Sequence, residues 1–170
     1  VTLAFGAAKR SHMLFPAAAH CGQLLIADIG VSTASDVMTA AETLLPPPDH
    51  SSHKYTRGLV AVIAGSMGGA AELAARAAAR AGAGYVLLVG SSLPPSPPYA
   101  IVRKAWRGAE SLADPRISAI VIGCGLGQGA AAEERFAAAI ATGKPLVVDG
   151  DALAQLAAPL PPGSILTPHA

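Results

Sequence analysis

The chain has 170 residues, of which 52% are hydrophobic, 14% charged and 4% aromatic, with a formal net charge of +1; that is material for one ordinary domain, or a small domain with part of another, whose core is built mostly from small side chains. Lysine and arginine are scattered, with no run longer than Lys9-Arg10, which excludes the clustered basic face that nucleic-acid binding needs. No apolar stretch approaches the roughly 20 residues that cross a bilayer, and two cysteines, Cys21 and Cys124, without metal-ligand spacing argue against a disulfide scaffold and for a reducing, cytoplasmic setting.

In chain order, Val1 to Phe5 and Gln23 to Asp28 read as strands, separated by a turn-rich segment with Gly6, Pro16 and Gly22. The chain opens directly inside the first of these, without a signal-peptide pattern, and so reads as starting in mid-domain. A short helix is predicted around Asp36 to Leu45, and then Pro46-Pro47-Pro48 followed by Asp49-His50-Ser51-Ser52 reads as an extended, solvated linker. The resulting division is 1–32, a linker at 33–52, and a second domain over 53–170.

From Gly58 a regular alternation begins. Leu59 to Ala64 is a short apolar run suited to a strand buried on both faces. Ala70 to Ala81 is alanine-rich, carries Glu72 and Arg76 four residues apart, and is followed by Gly82 and Gly84 as stop signals. Tyr85 to Val89 is the next strand; Pro94, Pro95, Pro97 and Pro98 mark a loop, and a helix is predicted over Ile101 to Leu112. Ala119 to Ile122 is a strand, Ala130 to Ala141 a helix, Pro145 to Val148 a strand, Ala152 to Ala157 a short helix and Ser164 to Leu166 a last strand. This succession predicts βαβ units and a mostly parallel sheet, whose ligands bind at the carboxyl ends of the strands.

Every unusual cluster falls at such an end. Gly65-Ser66-Met67-Gly68-Gly69-Ala70 lies at a strand-to-helix turn, where glycines and a helix N-terminus suit an anion; a tight turn with close packing explains it equally well. Gly123-Cys124-Gly125-Leu126-Gly127 has the same position and the same two readings. Neither matches a Walker or dinucleotide fingerprint. In Asp149-Gly150-Asp151, Asp149 is the functional candidate, able to hold Mg²⁺ through water, face a ribose or position a substrate, and Asp151 is expected to cap the helix that starts at Ala152. Cys124 reads as a packing residue because no helper base is identifiable. Glu133 and Glu134 suit the start of a helix, and His53, Lys54 and Arg57 a solvated basic turn. Thr167-Pro168-His169 closes the last strand.

Taken in order, His53-Lys54-x-x-x-Gly58, Gly65-Ser66, Gly69-Ala70-Ala71-x-Leu73-Ala74-Ala75-Arg76-Ala77, Ala81-Gly82-Ala83-Gly84, Gly123-x-Gly125-Leu126-Gly127, Val148-Asp149-x-Asp151-Ala152-Leu153 and Ile165-Leu166-Thr167-Pro168-His169 resemble the dehydratase domain of NAD(P)H-hydrate repair proteins. Val1 to Gly6 with Lys9, and Ala27-Asp28-Ile29-Gly30, resemble the tail of the epimerase domain that precedes it in fused bacterial versions. The resemblance implies an α/β architecture: a ribokinase-like three-layer, mostly parallel sheet, in part, after the C-terminal end of a Rossmann-like epimerase domain. It implies repair of hydrated NADH or NADPH: ADP or ATP phosphorylates the ring hydroxyl, loss of phosphate restores the double bond, and Mg²⁺ screens the phosphates, so that positioning and charge stabilisation carry the catalysis. Carried over by position, Gly69, Ala70, Gly125 and His169 contact the hydrated dinucleotide, and Asp149 lines the same crevice. K⁺ is implied for the epimerase domain when that domain is complete, and an apolar, alanine-rich surface is expected to form a homo-oligomer.

Two departures qualify the resemblance. Cys124 stands where the family usually has proline. The family's nucleotide-binding segment and its Gly-x-Gly-Asp motif, with the catalytic aspartate, follow the Thr-Pro-His motif, so the sequence reads as the middle of a longer protein and no catalytic residue or protein metal ligand is assigned within it. A kinase of a small hydroxyalkyl heterocycle on the same fold, and a non-catalytic nucleotide-binding module, are the competing readings.

Overall fold

The computed structural model describes residues 1–32, 34–35, 47–91, 93, 95–157 and 159–169. Contacts divide the chain into two units, Val1–Leu44 and Leu45–Ala170. The helix expected over Asp36 to Leu45 lies outside the described residues.

In the first unit, β1 (Thr2–Phe5) and β2 (Leu24–Ala27) pair in parallel, Thr2 opposite Leu24 and Phe5 opposite Ala27. A short helix, α1 (Arg10–Met13), and a 3₁₀ turn at Ala17–His20 connect them. The Lys9 ammonium donates to the carbonyls of Phe5 at 2.6 Å and Ala7 at 2.8 Å, closing the turn after β1. Ala4 is buried, whereas Leu3, Phe5, Leu25 and Ile26 stay exposed.

The second unit is a six-stranded, wholly parallel sheet in the order β5-β4-β3-β6-β7-β8. Its strands are β3 (Leu59–Ile63), β4 (Tyr85–Gly90), β5 (Ile101–Ala105), β6 (Ile117–Ile122), β7 (Leu146–Asp149) and β8 (Ile165–Thr167). α2 (Gly68–Arg80) links β3 to β4, and α3 (Ala130–Ala141) links β6 to β7. Side chains alternate across a strand with period two, and the two layers follow from that. Leu59, Ala61 and Ile63 face a cluster with Leu87, Ile120, Ile122 and Phe136 of α3, while Val62 and Ala64 face another with Leu88, Val86 and the fully buried Ala71 and Ala75 of α2. Alanine at those two helix positions lets α2 lie close on the sheet. The expected parallel sheet between helical layers is therefore present.

The helix expected over Ile101 to Leu112 is not. Residues 101–105 form edge strand β5, paired in parallel with β4 from Val86↔Ile101 to Gly90↔Ala105. Ile101 is buried against α2's layer, and β-branched Ile101-Val102 fits a pleated surface better than a helix. Gly108, at φ +81°, ends any helical continuation. Only Ala109–Leu112 forms a 3₁₀ turn. Glu72 explains Arg103 on β5: its carboxylate takes Arg103 at 2.6 Å as well as the expected Arg76 at 3.3 Å, which binds the edge strand to α2.

The strand order reverses between β3 and β6, so a crevice opens at their carboxyl ends. The turns there are packed backbone to backbone. A Cβ on Gly65 would stand 2.0 Å from the Leu126 carbonyl oxygen, and one on Gly123, at φ +116°, 1.7 Å from that of Asp149. Gly69, by contrast, has nothing within 4 Å of an added Cβ and no positive φ. Gly65→Ala should therefore cost roughly 3 kcal/mol of stability, an overpacking that backbone cannot relieve. Gly69→Ala should be neutral, or stabilising by up to about 1 kcal/mol through helix propensity. Chemical denaturation of the two variants checks both; a benign Gly65→Ala would contradict this packing.

Candidate functional site

Three strand-end turns build the site by bonding to one another. After β3, the Ser66 amide donates to Leu126 O at 3.3 Å and the Met67 amide to Gly125 O at 3.0 Å. After β7, Asp151 Oδ2 accepts the Gly127 amide at 2.8 Å. Asp151 does not cap its own helix, as its sequence position suggested. Residues Gly150–Gln155 form a 3₁₀ turn without a side-chain cap, and the carboxylate serves the neighbouring glycine turn instead. Of the two readings of the glycine clusters, close packing accounts for Gly65, Gly123 and Gly125, since a Cβ on Gly125 would meet Met67 O at 2.7 Å. It does not account for Gly68 and Gly69, where an added Cβ meets nothing within 4 Å.

A cleft of about 510 Å³ opens over these turns, lined by Met67, Ala70, Leu73, Gly123, Cys124, Gly125, Asp149, Asp151 and His169 among others. Four of the residues singled out from the sequence, Ala70, Gly125, Asp149 and His169, thus come from four different strand ends to one place. Gly69 is exposed at the first turn of α2 and does not line the cleft. Ala74, Ala77, Cys124 and Asp149 also border a larger apolar groove of about 1000 Å³, between α2 and the sheet positions Val60, Ala119, Val121 and Val147. A flat, largely apolar ligand with a polar end fits such a surface.

Asp149 is the charged centre of the cleft. Its Oδ1 accepts the Thr167 hydroxyl at 2.7 Å, and its Oδ2 accepts the Cys124 thiol at 3.3 Å. The register Asp149↔Thr167 in the β7–β8 ladder sets the first contact. These two hydrogen bonds, and more weakly the Gly150 amide and then the charge of His169, hold the carboxyl below the usual aspartate range. Asp149 is accordingly an anion and an acceptor at neutral pH, and a poor general base. The same contact acts oppositely on its partner: burial first, then the hydrogen bond and charge of Asp149, push the Cys124 thiol up to about 11. Cys124 is a neutral donor with a role beyond packing. Thr167 and Cys124 were the contacts that spacing could not reveal, because both act through Asp149 across strands.

The other singled-out residues lie elsewhere. Lys54 stacks over Tyr55 at 4.9 Å and Tyr85 at 5.9 Å, and Arg57 Nε donates to Gly82 O at 3.0 Å, all near the amino ends of β3 and β4. His53 and Lys54 are exposed, as expected for a solvated turn, and Arg57 is half-buried. Glu134 accepts Trp106 Nε1 at 3.3 Å. Among the described residues no group of three or more His, Cys, Asp or Glu could hold a metal ion, and no helix is long and apolar enough to cross a membrane.

At neutral pH, Cys124 should react with iodoacetamide roughly a hundredfold more slowly than an ordinary thiol, because so little thiolate is present. Asp149→Asn removes the charge opposing ionisation and should raise that rate several-fold. Rates measured with peptide mapping check this; equal rates in both proteins would contradict the thiol–carboxylate contact.

A family model described as NAD(P)H-hydrate dehydratase matches residues 60–170. The bifunctional NAD(P)H-hydrate repair enzyme of Mycobacterium tuberculosis is 34% identical over 189 residues, which take in 100% of this chain and 37% of that protein. The ADP-dependent (S)-NAD(P)H-hydrate dehydratase of Bacillus subtilis is 35% identical over 136 residues, 74% of this chain and 49% of its own length. The crystal structure of the ADP/ATP-dependent NAD(P)H-hydrate dehydratase from Bacillus subtilis, co-crystallised with ATP/Mg²⁺, superposes with a TM-score of 0.57 at 32% identity, covering 74% of this chain and 49% of that one. A ribokinase-like superfamily protein from Enterococcus faecalis gives a TM-score of 0.59 at 23% identity, over 72% of this chain and 49% of that one, which bears on the fold alone. The chain thus spans 37% of the length of the mycobacterial repair enzyme and 49% of the Bacillus dehydratase. Its fold is ribokinase-like, and the chain belongs to the NAD(P)H-hydrate dehydratase family.

Proposed function

We propose that this chain supplies the dinucleotide-binding part of an enzyme that repairs hydrated NADH or NADPH, a lyase that dehydrates the S-form at the expense of ADP or ATP. The observation that carries the proposal is the convergence of Ala70, Gly125, Asp149 and His169 on one cleft at the point where the strand order reverses, in a chain of this family. Ala70, Gly125 and His169 contact the hydrated dinucleotide. Gly69 opens the first turn of α2 to its polar end, because nothing in the protein occupies the space beside it. Asp149, held ionised by Thr167 and Cys124, accepts a donor of the substrate. The apolar groove beside the cleft takes flat, weakly polar rings.

The nucleotide and Mg²⁺ belong to the proposal through the Bacillus relative, whose crystals contained ATP/Mg²⁺. Mg²⁺ is bound chiefly through phosphates with one or two carboxylates. No residue of this chain is assigned to the ion as a direct ligand. We further assign residues 1–32 to the tail of an epimerase domain that interconverts the R- and S-forms, 33–52 to a linker and 53–170 to the dehydratase domain. The alignment to the bifunctional mycobacterial enzyme, which takes in the whole chain, supports that division. K⁺ would belong to the epimerase domain. A homo-oligomer in the cytoplasm completes the reading.

The test is incubation of the protein that carries this sequence with hydrated NADPH, Mg²⁺ and either ADP or ATP. The expected result is return of the reduced-nicotinamide absorbance with one phosphate released per dinucleotide, and no phosphate release without the hydrate. Phosphorylation of a hydroxyalkyl heterocycle in place of the hydrate would show a kinase, and nucleotide binding without turnover would show a binding module; either overturns the proposal.

A further inference from the structure

Beyond one longer contact of the Thr167 hydroxyl with Val148 O at 3.3 Å, the fold has other means of holding the elements that carry Thr167 and Cys124. β8 is already fixed by its backbone register with β7, and Thr167 is exposed on that edge strand. The turn that bears Cys124 is already held by the Met67 amide on Gly125 O, the Ser66 amide on Leu126 O and Asp151 on the Gly127 amide. Their side chains nonetheless converge, from two different elements, on the two oxygens of a single carboxylate: the Thr167 hydroxyl on Oδ1 at 2.7 Å and the Cys124 thiol on Oδ2 at 3.3 Å. A carboxylate rotates freely about its last torsion when solvated. One donor on each oxygen, from the ends of the strands on either side of β7, removes that freedom.

We propose that Thr167 and Cys124 are positioning residues that lock the Asp149 carboxylate as an oriented acceptor for a hydroxyl group of the bound ligand. An ionised carboxylate has about four lone-pair sites. The Thr167 hydroxyl, the Cys124 thiol and the Gly150 amide take up three of them, which leaves acceptor capacity on a carboxylate that lines the cleft. A fixed, acceptor-only anion takes a hydroxyl and repels a phosphate. It therefore also sets which way round the ligand lies: hydroxyl-bearing ring toward Asp149, phosphates away from it. The identity of that ligand as hydrated NAD(P)H rests on the repair reading; the locking of the carboxylate does not.

Two measurements on the protein that carries this sequence test the inference. The first is a double-mutant cycle on KM for hydrated NADPH. Thr167→Val keeps the branched shape that suits an edge strand and removes only the hydroxyl; it should raise KM about tenfold, as loss of a hydrogen bond to a charged group does. Thr167→Ser should restore it. Thr167→Val added to Asp149→Asn should have no further effect, because Thr167 acts through Asp149. Additive losses would overturn the proposal. The second needs no turnover: the S–H stretching band of Cys124, isolated by difference against Cys124→Ala. Asp149→Asn should move it toward the position of a free thiol, and Thr167→Val should shift or broaden it as the carboxylate is released. A band unchanged by Asp149→Asn means that no thiol–carboxylate bond exists, and the proposal falls. A band that shifts as expected in a protein that does not turn over the hydrate would sink the repair reading and leave the positioning role standing.

Discussion

Everything at the carboxyl edge of the large sheet depends on backbone meeting backbone where a side chain cannot fit. Gly65 meets the Leu126 carbonyl, and Gly123 meets that of Asp149, at separations that exclude even a methyl group. Through these contacts the turns after β3, β6 and β7 behave as one piece, cross-linked by the amides of Ser66, Met67 and Gly127. A floor built from backbone has few soft rotamers, so the groups above it keep their places without a dense hydrophobic shell. That matters in a chain with so few aromatic residues.

The sheet topology supplies the opening and the turns supply its chemistry. Because the order reverses between β3 and β6, the connections leave in opposite directions and do not cover the crevice. Ala70 and Ala74 keep the helical wall low, and Gly68 and Gly69, beside the cleft rather than in its lining, leave open space at the start of α2. On the other wall Asp149 is ionised and held on both oxygens, while Cys124 is kept as a thiol by the same contact. The cleft thus pairs an anion of fixed position with a helix start that carries no acidic residue in its first turn.

Much of this was legible in the sequence, for identifiable reasons. β3 and β4 are buried on both faces or nearly so and therefore read as unbroken apolar runs, while β6 and β7 are buried on one face and carry Ala119, Val121 and Val147 on the groove side. Ala70 to Ala81 could only be a helix on propensity, although the structure starts it at Gly68. β5 reads as a helix in the sequence because polar residues interrupt its apolar run, and Arg103 is there to meet Glu72 of α2, a partner 31 residues away. Long-range partnership also hid the role of Asp151: its position before Ala152 suggested a local cap, and the Gly127 amide, remote in sequence, claimed it. The glycine clusters presented two equal readings because spacing does not reveal what stands opposite a missing Cβ. The cleft residues Ala70, Gly125, Asp149 and His169 were reachable from order along the chain together with the family resemblance; the donors that hold Asp149 were not.

The central claim is that the cleft above the clasped turns is where the dinucleotide binds. The most direct measurement is backbone amide chemical-shift mapping as hydrated NADPH is added to the protein. The account predicts perturbations concentrated at Gly69, Ala70, Gly125, Asp149 and His169, with Tyr55, Tyr85 and Arg116 at the amino end of the sheet unmoved. Shifts confined to that amino end, or none at saturating ligand, would contradict it.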